Sequence, residues 1–369
     1  MNKIIKRYFI DAMSGMAQGL FASLLIGTIV KTLGQQLLRL NTNAFFSFLV
    51  DAGNFATDAH VVGAAMAIGI GFAMQVSPLV LFSLATVGSQ ANISGGAGGP
   101  LAVLIIAIFA SEMGSLVSKK TKVDIIITPL VTLLCGTLLT VLTAKYIGLA
   151  ASSVGKFIIW ATKLQPFWMG IIVSVVIGVA LTLPISSAAI CAALSLTGLA
   201  GGAAVAGCCA QMVGFAVMSF RENKWGGILS QGLGTSMLQM PNIIKNPKIW
   251  IPPILTSIIT GPLATCFFKL QMNGPAVSSG MGTCGLVGQI GIITGWFEPS
   301  QAAIENGAMS ISPTIFSWLS LLMICFILPA FLTWAFGLLF RKIGYIKEGD
   351  LSLEPASGAS AKKVIENKE

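Results

Sequence analysis

Charge is what this sequence has least of. Only 9% of its 369 residues are Asp, Glu, Lys or Arg, against about a quarter in a water-soluble domain, so there is too little charge to cover a water-facing surface. Histidine is nearly missing as well: His60 is the single one, and no nucleophile motif surrounds it, which argues against hydrolase chemistry. No Gly-Lys-Ser or Gly-Lys-Thr follows a glycine run, so there is no Walker sequence and no ATP consumption by this chain. Paired cysteine spacing is absent too. Cys135, Cys191, Cys208, Cys209, Cys266, Cys284 and Cys325 lie in or beside apolar runs without the spacing of a metal site or a disulfide frame, so no metal or other cofactor is expected.

What is present is hydrophobic. Apolar residues make up 55% of the chain, and the stretch from Val61 to Phe109 contains no charged residue at all. Single runs exceed the ~20 residues that cross ~30 Å of hydrocarbon. The expected fold is all-α: a polytopic membrane protein of about eight to ten transmembrane helices, some broken or re-entrant, over residues 1–342. Residues 343–369, rich in Ser, Ala, Lys and Glu, are expected to form a disordered cytoplasmic tail. The net charge of +9 does not point to nucleic acid, because the basic residues cluster at the ends of apolar runs. Lys3, Lys6 and Arg7 precede the first run, Lys119, Lys120 and Lys122 follow another, Arg221 and Lys224 a third, and Arg341 and Lys342 the last. By the positive-inside rule these clusters, and with them both termini, lie in the cytoplasm. The first run, Tyr8 to Val30, has no small-residue cleavage pattern and is read as a retained helix; the mixed stretch from Lys31 to Asn43 is read as interfacial.

Polar residues concentrate where the apolar runs break. An ionisable group at mid-helix costs about 2.5–3.5 kcal/mol on insertion scales, so Asp58 and His60, two apart at a break, are candidates to hydrogen-bond a solute or its coupling ion; a wet position among lipid headgroups is the other reading. Glu112 lies two turns from Lys119 and reads as interfacial or paired. The run Asn92-Ile-Ser-Gly-Gly-Ala-Gly-Gly-Pro100 exposes backbone groups, with Asn92, Ser94, Gly95 and Gly96 as candidate contacts for a neutral, hydroxyl-rich ligand. Non-helical backbone at membrane depth is tolerated only inside protein or along a cavity. Thr182 and Ser186 flank the break at Pro184, Asn242 ends Thr235-Ser-Met-Leu-Gln-Met-Pro-Asn242, and Gln289 ends Gly280-Met-Gly-Thr-Cys-Gly-Leu-Val-Gly-Gln289. Hydrogen bonding between helices explains these hydroxyls and amides equally well. If the breaks share one hydrated pocket near mid-membrane, fewer backbone groups go unpaired in hydrocarbon. The chain reads as a membrane protein that binds and moves a small polar solute.

Two runs carry a resemblance. Gly232-Leu-Gly-Thr-Ser-Met-Leu-Gln-Met-Pro-Asn-Ile-Ile-Lys-Asn-Pro-Lys-Ile-Trp-Ile-Pro-Pro253 and Gly280-Met-Gly-Thr-Cys-Gly-Leu-Val-Gly-Gln-Ile-Gly291 resemble the phosphotransferase-system EIIC type 2 proteins, the PfoR-like group. Its members were named as toxin regulators yet are classed with sugar-permease subunits. The resemblance extends to about Gly344 and implies an EIIC-like permease fold in a bacterial cytoplasmic membrane. It also implies a sugar-like solute and no catalysis by the chain itself. Gly95 to Thr140 is similar in layout to fructose-type permeases, which implies a homodimer with a fixed scaffold and a mobile, elevator-like sugar-binding part. The Gly-Ile-Thr-Glu binding motif of glucose-type permeases is absent. So are phosphocysteine and phosphohistidine modules, so any phosphorylation falls to separate IIA and IIB proteins. The alternative is a membrane-bound ligand sensor of toxin-regulator type that does not transport.

Overall fold

The computed structural model describes residues 6–353 apart from Thr42 and Lys122. Among these residues the chain is helical nearly throughout, with one isolated antiparallel bridge between Gly198 and Met272. The local reasons are legible. Asn43 caps α2 (Ala44–Ala56) by accepting from Phe45 N at 3.0 Å, and Asp58 caps α3 (Ala59–Ala73) by accepting from His60 N at 2.8 Å. Pro78 and Pro166 open α4 (Pro78–Gly95) and α7 (Pro166–Thr182), where a missing N–H costs nothing.

Two long helices set the height of the molecule. α1 (Lys6–Arg39) has 34 residues and α6 (Asp124–Thr162) has 39, roughly 50 and 60 Å at 1.5 Å per residue. Lys31 to Leu40, expected to lie in the interface, instead continues α1 and packs antiparallel on α2. Its partner there is protein: Gly34 lies against Leu49 and Val50, and Gly53 against Lys31. α2 and α3 meet at a 58° bend, and α4 folds back on α3.

α4 and α5 (Gly99–Val117) form a hairpin. Gly96, at φ +51°, reverses the chain where a side chain would be strained, and at the other end Ser77 and Ser118 share a 2.8 Å hydrogen bond. Among the described residues six helical stretches are long and apolar enough to cross a membrane, or seven if the bent pair α2–α3 is one span, against the eight to ten expected from sequence. That count takes the α4–α5 hairpin as one stretch and leaves out α7, whose 17 residues fall short.

The second half is built around α9 (Gly198–Met218), which lies between α7, α10 (Pro247–Phe267) and α12 (Ile315–Lys342). α7 touches α9 so closely that a Cβ on Gly207 would collide with the Ser174 carbonyl. Serine and threonine hydroxyls on these helices bond back to carbonyls four residues earlier, as at Thr256, Ser257 and Thr260, which satisfies them without water.

The basic clusters gather at one end of the molecule. Arg7 pairs with Glu112 at 3.0 Å and Arg341 with Glu222 at 2.7 Å, and Met240–Lys245 packs against the start of α1; Lys3 and Lys122 lie outside the described residues. The chain after α12 is held at this end too. Asn223 and Gln239 both donate to Leu351 O, Asn242 donates to Ser352 O, and Leu353 N donates to Asn223 Oδ1. Ile346 and Leu351 are buried. The disorder expected from residue 343 onward therefore does not apply to Ile343 through Leu353: two apolar side chains and the side-chain amides of Asn223, Gln239, Asn242 and Asn246, the last donating to Tyr345 O, pin a strap that composition alone makes look free. Residues 354–369 lie outside the described residues.

Candidate functional site: a junction of helix breaks at mid-height

The hairpin tip does not reach the far end of the molecule. Gly98 packs against Ile147 and Gly148 of α6, which leaves the stretch from there to Thr162, roughly 20 Å at 1.5 Å per residue, beyond the tip. The bend between α2 and α3 lies beside Gly27 of α1, again well inside that helix. The breaks thus meet near half-height.

Three polar contacts join them. His60 Nδ1 lies 2.9 Å from Ser89 Oγ in a hydrogen bond whose direction the imidazole tautomer sets. Asn92 Nδ2 donates to Ala59 O at 2.8 Å, closing the α3 N-terminus onto α4. Ser186 N donates to Ala97 O at 3.0 Å, which joins the hairpin tip to the Pro184 break. Asp58, His60, Ser94 and Gly96 are exposed, Asn92 and Ser186 half-buried and Gly95 buried. Ser186 Oγ caps α8 (Ser187–Ala193) by accepting from Ala189 N, and Ser187 Oγ reaches across to Gly280 O at 2.7 Å.

Thr182 is fully buried and starts a second polar group. Its Oγ1 shares a 2.8 Å hydrogen bond with Ser236 Oγ and donates to Gln211 Oε1 at 3.3 Å, which also accepts from Trp250 Nε1 at 2.9 Å. Gln211 Nε2 is buried without a partner, and so is Gln289 Oε1, whose amide nitrogen donates to Cys209 Sγ at 3.3 Å. Such groups cost about 1–3 kcal/mol each if left unpaired, and both sit on α9's neighbours or on α9 itself at the level of the breaks.

Of the ten residues singled out from sequence, Asp58, His60, Asn92, Ser94, Gly95, Gly96 and Ser186 come together at the tip, and Thr182 lies one turn away. Gln289 sits on the far side of α9, on α11 (Cys284–Phe297). Asn242 lies apart, at the basic end, where both Gln239 Oε1 and the strap occupy its amide nitrogen. Glu112 is paired with Arg7, as its place near Lys119 suggested. Ser236 lay within the Thr235–Asn242 run, whereas sequence reasoning passed over Ser89, Gln211 and Trp250 as contacts. Gln211 carried a signal, as the one amide in an otherwise apolar run of 21 helical residues.

Among the described residues no cluster of three or more His, Cys, Asp or Glu side chains could hold a metal ion. The arrangement offers hydroxyls, amides, an imidazole and freed backbone groups where helices meet, a set that suits hydrogen bonding to a neutral polar molecule.

No curated protein and no solved structure matches the chain. A family model described as "Phosphotransferase system, EIIC" matches residues 10–353. With its apolar helices, paired basic end and polar breaks at mid-height, the chain belongs to the EIIC family of the phosphotransferase system, the membrane sugar-permease component of that system.

Proposed function

We propose that this chain carries a neutral sugar or sugar-like solute across a bacterial cytoplasmic membrane, with the junction of Asp58, His60, Ser89, Asn92 and the Gly95–Ala97 tip as its central binding region. The observation that carries this reading is the meeting of the α2–α3 bend, the hairpin tip and the Pro184 break through three hydrogen bonds at half-height. Irregular backbone at that depth is stable only inside protein or along a hydrated path. The basic end faces the cytoplasm by the positive-inside rule, the protein acts as a homodimer, and phosphorylation of the incoming sugar falls to separate IIA and IIB proteins.

The test is uptake of labelled glucose, fructose, mannitol and cellobiose into proteoliposomes, with and without purified IIA and IIB proteins. Asn92→Ala and His60→Ala should reduce uptake of the transported sugar at least tenfold while the melting temperature stays within a few degrees. No uptake and no thermal shift with any sugar would sink the permease reading.

One observation favours the second reading, a ligand sensor without transport: the strap from Ile343 to Leu353 is docked on the basic end, where a signal could leave. Removing residues 348–369 should then abolish a transcriptional response and leave uptake intact.

A further inference from the structure

A cleft of about 550 Å³ lies between the second half of α1 and the segment from Pro275 to Ser300, on the side of the junction away from the basic end. That volume falls within the range of small-molecule sites, about 300–1,000 Å³. Its two walls belong to different parts of the molecule. Thr32, Gln35 and Gln36 stand on α1, and Ser278 and Thr294 face them from the 275–300 segment.

The hydrogen-bonding state of these side chains sets them apart. Most helical Ser and Thr hydroxyls here bond back to their own helix, as Thr28 does to Leu24 O and Thr294 to Gly291 O. Among the described residues Thr32, Gln35, Gln36 and Ser278 form no side-chain hydrogen bond, although Thr32 is only 9% exposed and Ser278 only 4%. Two hydroxyls and two amides without partners of their own therefore line one cavity, the hydroxyls buried and the amides with solvent access. Arg39 and Glu298 stand at its rim 3.9 Å apart and cancel each other's charge, so the lining presents no net field to attract an anion. Between the cleft and the junction the chain is packed backbone on backbone: Gly285, at φ +51°, lies against Ile29 of α1, and Gly280 against Ser187.

We infer that this cleft is a second solute subsite, on the side opposite the basic end, which takes a neutral polyhydroxylated molecule of mono- to disaccharide size and holds it before it passes to the junction. The inference rests on the permease reading and adds to it the chemistry of the ligand and the place of its entry. Amides and hydroxyls without internal partners pair well with sugar hydroxyls, each of which donates and accepts. A phosphorylated sugar would have to leave two charges without a countercharge beyond the one already held by Glu298.

The experiment uses the full chain in vesicles of phosphatidylethanolamine and phosphatidylglycerol, with labelled glucose, fructose, mannitol and cellobiose as probes and glucose 6-phosphate as the anionic control. At least one neutral sugar should bind, glucose 6-phosphate should not, and Gln35→Leu with Gln36→Leu should weaken that binding at least tenfold with an unchanged melting temperature. Because both glutamines have solvent access, the double variant is expected to fold. Gln36→Cys gives an independent reading: a membrane-impermeant maleimide should label it above the wild-type background, and the bound sugar should protect it. Unaltered affinity in the double variant, absence of protection at Gln36→Cys, or preferential binding of glucose 6-phosphate overturns the subsite while sugar uptake by the wild type leaves the permease reading in place. Wild-type protein that neither binds nor takes up any of the four sugars overturns both.

Discussion

α6 and α9 are both long apolar helices, yet they occupy opposite situations. In its most apolar 18-residue window α9 is 89% buried and α6 only 22%, although α6 has the more hydrophobic sequence of the two. The order is the reverse of what a water-soluble protein shows. With lipid as solvent, the bulky apolar side chains belong outside: Ile125, Leu130, Leu134, Leu138 and Val141 of α6 are exposed. The inside is filled by the residues that let backbones approach, and α9 reads Gly-Leu-Ala-Gly-Gly-Ala-Ala-Val-Ala-Gly-Cys-Cys-Ala-Gln over its first two-thirds. Hydropathy in this protein therefore ranks contact with lipid. The size of the side chain ranks contact with protein.

The strongest way to break this comparison is to give α9 a large side chain. Gly207→Leu places a Cβ on the Ser174 carbonyl, and because the obstacle is backbone the cost should exceed the ~1–3 kcal/mol of ordinary overpacking. The monodisperse peak in size-exclusion chromatography in detergent should vanish, whereas Leu134→Phe on α6 should leave it unchanged.

Next in size is the ion pair at the end of α12. Glu222 has a side chain only 6% exposed, and its Oε2 has no partner even with Arg341 present, so Arg341→Met leaves a buried carboxylate uncompensated at a cost of about 3–5 kcal/mol. Arg7→Met, at a pair whose members are 42% and 35% exposed, should cost under about 1 kcal/mol. Thermal unfolding of the two variants in one detergent measures the difference; equal losses would refute it.

Within the α7–α9 contact, Thr182→Ala removes the hydroxyl that joins Ser236 to Gln211 and should cost about 1–3 kcal/mol, since the partners stay buried. The smallest effect is expected on the lipid side. Leu134→Ala combined with Leu138→Ala should change stability by no more than about 0.5 kcal/mol per site, read as a melting temperature within a few degrees of wild type.

How far the sequence foretold this depends on what each feature rests on. Helical spans, the grouping of Arg7, Arg221 and Arg341 at one end, and breaks near Asp58, Gly96 and Pro184 follow from residue type and order along the chain, and they are where hydropathy and Gly or Pro placement put them. Features decided by a distant partner were not legible. The stretch from Lys31 to Leu40 has enough polar residues to suggest an interfacial helix, and only the presence of α2 beside it makes it part of α1. Thr182 and Ser236 are 54 positions apart, and no local pattern pairs them. Asn242 sits in a conspicuous motif, yet what it touches is Ser352, 110 positions away. The junction lay partly in view because breaks in apolar sequence must be sheltered somewhere; the 550 Å³ cleft did not, because its walls come from helices that only the tertiary fold brings together.

The strap that closes the basic end also sets an order of events during synthesis. Asn223, Gln239, Asn242 and Asn246 leave the ribosome about a hundred residues before Tyr345, Leu351 and Ser352, the carbonyls to which they donate. Until the last described residues emerge, those amides have to be served by water or by one another, and Leu351, fully buried in the finished protein, has no pocket of its own chain to leave. A ribosome stalled a few codons short of residue 351 would thus release a chain with every long apolar helix in place and its basic end still open.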